Sequence, residues 1–95
     1  MKIIALEIEK SVSTAEAFQK HAQAEAIKVW ELQQNDFIRE IYFRADQNSA
    51  VLVLESESVN SAKEQLKALP YVKNGLIEFE LIPLKAYPGF SRLFK

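Results

Sequence analysis

Alternation opens the chain. In Lys2–Glu9, Ile4, Leu6 and Ile8 fall on one side of an extended segment and Ile3 and Ala5 on the other, which predicts a strand. Ser11-Val12-Ser13 then opens a helix, with Ser13 as the expected cap and Glu16, three residues on, completing a capping box. Phe18, Ala22, Ala26, Val29 and Leu32 recur near every 3.6 residues, with Trp30 alongside, so this helix runs to about Gln34. Asn35 is the expected left-handed stop, since its short side chain tolerates positive φ. Phe37–Phe43 reads as a second strand, with Phe37, Arg39, Ile41 and Phe43 on one face and Ile38, Glu40 and Tyr42 on the other. A polar turn at 45–49 leads to Ala50–Glu55 as its antiparallel partner. Ser58 caps a second helix with the stripe Val59, Ala62, Leu66 and Leu69, and Pro70 stands at its end. Asn74-Gly75 turns the chain into a last strand, Leu76–Pro83, with Ile77, Phe79 and Leu81 facing one way.

The order β-α-β-β-α-β is the split-βαβ, ferredoxin-like arrangement of the α+β class. Right-handed crossovers place both helices on one face of a four-stranded antiparallel sheet. An antiparallel sheet covered on one side ordinarily alternates apolar and polar positions. Here Ala50–Leu54 and most of Ile3–Leu6, the central strands, are apolar on both faces. That patch exceeds what a monomer leaves wet, so the expected partner is a second copy, a homodimer closed through the helix-free face. Residues 1–95 form one domain, and the aromatic tail 84–95, with Tyr87, Phe90, Leu93 and Phe94, is expected to dock on something.

Composition narrows the field. Twelve basic against thirteen acidic residues leave a net charge of −1, no footprint for nucleic acid or anionic lipid. An RNA-recognition domain of this topology would carry aromatics on the first and third strands, and Lys2–Glu9 and Ala50–Glu55 have none. The absence of cysteine excludes disulfides and thiol nucleophiles, and one histidine leaves little for a transition metal. No cofactor is expected, and a phosphate loop has no place among two glycines. No apolar run approaches the ~20 residues of a membrane span, and Glu7 and Glu9 break up the leading apolar stretch. The expected location is cytoplasmic.

A few residues could carry chemistry. His21, the only histidine, precedes Glu25 by one turn, the spacing at which a carboxylate orients an imidazole. Facing a cavity, the pair could move a proton to or from a carbon acid; facing solvent, it is a solvated surface pair. Arg39, alone among apolar neighbours, needs a carboxylate from the protein or from a ligand. Trp30 is either core or the flat wall of a ring-binding cavity. Glu40, Glu78 and Glu80, with Tyr42, fall on faces assigned to the barrel interior or interface. They either bind ligand and move protons or pair with basic groups near strand ends.

Several segments together carry a resemblance: Trp30-Glu31-Leu32, Ile38–Phe43, Ala50–Glu55, Leu66–Pro70, Gly75–Phe79, and Ile82-Pro83-Leu84 with Tyr87-Pro88-Gly89-Phe90. On these the chain resembles the dimeric α+β-barrel superfamily, within it the small proteins similar to muconolactone isomerase. The resemblance implies two sheets closing into a barrel, with a small-molecule cavity between sheet and helices. It implies an isomerase-like or cofactor-free oxygenase-like enzyme acting on a small organic acid, lactone or aromatic. For such an enzyme the residues singled out above by their chemistry and spacing are the candidates, His21 and Glu25 as catalytic groups and Trp30, Arg39, Tyr42 and Glu78 as substrate-holding ones. A ligand-binding or structural dimer of the same fold without turnover is the alternative, since fold does not fix function.

Overall fold

In the computed structural model, which describes residues 1–94, the elements follow the expected order; Lys95, the end of the tail, lies outside the described residues. They are β1 (Lys2–Glu9), α1 (Ala15–Gln34), β2 (Ile38–Phe43), β3 (Ala50–Glu55), α2 (Val59–Leu66), a one-turn α3 (Pro70–Lys73) and β4 (Ile77–Pro83), followed by a 3₁₀ helix at Gly89–Phe94. The strands form one antiparallel sheet in the order β2-β3-β1-β4. This is the ferredoxin-like α+β arrangement, with the apolar strands β1 and β3 central.

Register divides the two faces. Ile3 sits opposite Leu54 and Ala5 opposite Leu52, and these four side chains are buried with Ile38, Leu32 of α1, and Ala62 and Leu66 of α2. The helices therefore cover one face. On the other, Ile4 lies between Val53 and Ile82, Leu6 between Val51 and Glu80, and Ile8 opposite Glu78. No described element covers that second face.

Local chemistry moves several boundaries. Thr14, not Ser13, caps α1: its hydroxyl accepts from Ala17 N at 3.1 Å, while Ser13 Oγ donates to Lys10 O and to Glu9. Thr14→Ala is expected to cost about 1 kcal/mol, read as a melting temperature lower by about 4–8 °C. The left-handed residue after α1 is Asp36 (φ 69°), and Asn35 instead accepts from Phe37 N through its side chain. Pro70 does not close α2. It starts α3, at the position where a missing amide costs nothing.

The largest correction concerns Arg39. A register shift between Ile38 and Glu40 makes Arg39 the extra residue of a bulge in β2. Phe37 and Ile38 are both buried, Ile41 and Phe43 stay on the helix side, and Arg39 points out to solvent, its Nε donating to Asp36 O at 2.8 Å. Strict alternation cannot see a bulge, so it put Arg39 among the apolar residues.

The chain exposes 6813 Å². A folded monomer of its mass exposes about 5,600 Å², so the surplus is about 1,200 Å². Its radius of gyration, 15.5 Å, exceeds the ~12 Å of a spherical domain of this length, and its longest dimension is 59 Å. The tail accounts for this shape. After Leu84 N bonds Lys2 O, the chain departs from the sheet, and exposure rises from 65% at Tyr87 to 86% at Phe94. Within the described chain the tail docks on nothing. No helix among the described residues is long and apolar enough to cross a membrane.

Candidate active site

Between the sheet and α1 and α3 lies a cavity of about 170 Å³, walled by Val29, Ile41, Leu52, Leu69, Ile77 and Phe79. An engineered void near 150 Å³ holds a benzene ring, so this one is ring-sized. It opens past Glu7, Phe43 and Tyr71 into a vestibule of about 530 Å³ that adds Glu9, Phe18 and Asn48. Phe43, at the mouth, is 65% exposed.

Two carboxylates reach this apolar space. Glu7 follows Ile3 and Ala5 on the helix-facing side of β1. The β1–β3 pairing ends at Leu6–Val51, and the next free amide, Ala50 N, donates to Glu7 Oε1 at 3.0 Å. Glu25 projects from α1, and its Oε1 accepts from Tyr71 N, at the start of α3, at 2.9 Å. Burial pushes both carboxyls above the usual carboxylate range, against the lowering effect of those amides, and the charge of Glu7 pushes Glu25 further up. Each has an Oε2 that makes no hydrogen bond among the described residues. Tyr71 stands beside them, its ring edge-on to Phe18 (centroids 5.0 Å) and its hydroxyl donating to Phe18 O at 3.3 Å. Burial, then Glu25 and Glu7, raise its pKa, so the phenol stays protonated.

Two acids held protonated to higher pH than usual, chiefly by burial and secondarily by the charge of Glu9 on Glu7 and of Glu7 on Glu25, can divide into a proton donor and a proton acceptor. Among the described residues, no lysine, arginine or histidine lines the cavity or its vestibule. Nor, among those residues, is any cluster of three or more His, Cys, Asp or Glu placed to hold a metal ion.

The structure separates the sequence candidates. Glu25 lies in the cavity. His21, one turn earlier on α1, is half-buried but does not line it, and the carboxylate of Glu25 is engaged with the Tyr71 amide rather than the imidazole. Trp30 is 60% exposed on α1, neither in the core nor in the cavity wall, the two places the sequence offered for it. Tyr42 and Glu78 lie on the open face of the sheet, opposite the cavity, where Tyr42 Oη donates to Glu40 at 2.6 Å. Sequence reasoning missed Glu7 and Tyr71. The signal for Glu7 was there: it breaks the apolar row Ile3, Ala5 on the face that packs under the helices.

No protein-family model and no curated protein sequence matches the chain. Solved structures do match it. Muconolactone isomerase superposes with a TM-score of 0.70 at 21% identity, over 94% of this chain and 93% of that one. The 5-chloro-2-hydroxyhydroquinone dehydrochlorinase of Burkholderia phenoliruptrix AC1100, in complex with 2,5-dihydroxybenzoquinone, superposes with a TM-score of 0.69 at 15% identity, over 92% and 96%. The chain thus has the muconolactone isomerase-like α+β fold expected from the sequence.

Proposed function

From a fold shared with an isomerase and a dehydrochlorinase, we propose that this chain forms a homodimeric α+β barrel that binds a small ring compound and moves a proton on it. Glu7 and Glu25 would serve as the acid–base pair. The observation that carries this reading is the pair of half-buried carboxylates facing one ring-sized apolar cavity. Both relatives carry names of reaction types that removal of a proton from carbon would serve, and one is bound to a six-membered ring. For the dimer, the support is the uncovered row Ile4, Leu6, Val51, Val53 and Ile82 and the surplus exposed area, which exceeds the roughly 800 Å² per partner of a standard interface.

The charge of the site narrows the ligand. An organic acid would bring a fourth carboxylate to Glu7, Glu25 and Glu9, with no described cation lining the space to meet it. A neutral lactone or phenol fits better: its carbonyl accepts from a protonated glutamate, or its hydroxyl donates to an ionised one. Calorimetric titration with phenol, hydroquinone, an uncharged butenolide and benzoate tests this, with benzoate expected to bind at least tenfold more weakly than the best neutral ring. Solvent exchange in D₂O, followed by NMR on a bound lactone with an acidic C–H, tests the chemistry. Glu7→Gln and Glu25→Gln are each expected to slow exchange by about 10²-fold or more. Equal affinity for benzoate would overturn the ligand class. Binding with no exchange above the buffer rate would select the non-catalytic alternative.

A further inference from the structure

The inner cavity and the vestibule meet at a neck made by the three residues that line both, Glu7, Phe43 and Tyr71. Phe43 is apolar, so the neck offers a ligand one carboxylate and one phenol. Glu25 lies beyond it, on the inner cavity alone, and the vestibule amide of Asn48 lies outside it. A neutral ring seated among Val29, Leu52, Leu69 and Phe79 finds no polar group on those walls. Its oxygen therefore faces the neck, and its carbon edge can face Glu25. Tyr71 is held ready there, with its amide spent on Glu25 and its ring set edge-on against Phe18. Only the hydroxyl is loosely committed. It donates to Phe18 O at 3.3 Å, against ~2.8 Å for an ordinary O–H···O bond. Phe18 O lies within α1, where a carbonyl already accepts from the amide four residues on. The phenol can turn its proton to a ligand and leave no acceptor without a donor.

We propose that Tyr71 is a third catalytic group, an inference that rests on the proton transfer proposed above: its hydroxyl donates to the carbonyl oxygen of the bound ring while Glu25 takes the proton from carbon. In that step the C–H bond breaks and its proton passes to a carboxylate oxygen of Glu25. The electron pair moves through the ring onto the carbonyl oxygen, so the new charge appears at the neck. A donor is needed at that point. Among the described residues no lysine, arginine or histidine lines either space, and an ionised Glu7 has no proton to give. The phenol has one, since burial and then the charges of Glu25 and Glu7 resist its ionisation. It donates without losing its proton, and return of the proton from Glu25 to a ring carbon restores every group.

Tyr71→Phe keeps the ring and removes only the hydroxyl. Parent and variant are titrated with a simple butenolide and with the dihydrofuran that lacks its carbonyl oxygen. Infrared difference spectra read the carbonyl stretch of the bound lactone, and NMR in D₂O reads its exchange. The variant is expected to bind the butenolide about 2- to 10-fold more weakly and the dihydrofuran as the parent does. The bound carbonyl stretch moves to higher frequency, as it does when a hydrogen bond is lost, and exchange slows by about 10²-fold or more. Unchanged dihydrofuran binding also shows that the variant pocket is folded. A variant equal to an active parent in affinity, stretch and exchange overturns the role of Tyr71 and leaves the glutamate pair standing. Equal weakening for both ligands overturns it too, leaving Tyr71 a packing residue. A parent that binds the lactone without exchange overturns the proton transfer, while the stretch still decides for or against the phenol as donor. A parent that binds neither ring overturns both readings.

Discussion

Ile4→Asp is expected to convert the proposed dimer into a folded monomer. Ile4 stands in the middle of the central strand on the open face, flanked in register by Val53 and Ile82, so the new carboxylate meets neither a cation nor a hydrogen-bond donor from its neighbours. In the monomer this position is wet and aspartate costs little beyond its weaker strand propensity, on the order of 1 kcal/mol. In a sheet-on-sheet dimer, two-fold symmetry buries two uncompensated carboxylates. Each unpaired buried charge costs about 3–5 kcal/mol, and with 1.4 kcal/mol per tenfold the dissociation constant should rise by a factor of about 10³ or more. Equilibrium sedimentation reads the mass, and far-UV circular dichroism confirms that the fold survives. An unchanged dimer would move the interface off this face. A substitution such as Gln23→Ala, exposed on α1, should leave the mass unchanged.

Much of the fold was legible because its signals are redundant. Each strand carries several residues in alternation, so one irregularity does not hide it, and the doubly apolar runs Ile3–Leu6 and Ala50–Leu54 marked the central pair. Where one residue decided the matter, the reading slipped. A single bulge at Arg39 put a solvent-exposed guanidinium among the apolar residues, and neighbouring hydroxyls at Ser13 and Thr14 made the cap ambiguous by one position. The site was harder for a related reason. Glu25 was legible through its spacing from His21, but its carboxylate turns to the amide of Tyr71, 46 residues on, and no local pattern encodes that contact. Glu7 is likewise tied to Ala50, 43 residues away. Trp30 drew notice because tryptophan is usually buried, yet on a helix with a thin stripe it falls outside.

Mild acid should stabilise this protein. Glu7 and Glu25 have pKa values raised above the ordinary 4.5 by burial, so on acidification the folded state takes up their protons before the unfolded chain does. Stability therefore grows as pH falls through the raised values, is complete below 4.5, and is lost as pH climbs back through them. Three other carboxyls act in the opposite sense: Glu55 beside the N-terminal ammonium, Glu64 beside Lys67 and Asp46 beside Arg44 are all held low. Their contribution fades only when pH drops below 4.5, or 3.8 for Asp46, and being fully exposed they weigh little. The melting temperature should thus rise as the pH is lowered from neutral towards 4.5 and fall again in stronger acid. The rise should be only a few degrees, because Glu7 and Glu25 are half exposed and screened, and even 1 kcal/mol corresponds to about 4–8 °C. Glu7→Gln with Glu25→Gln should flatten it, and a rise that survives the double substitution would remove these two groups as its source.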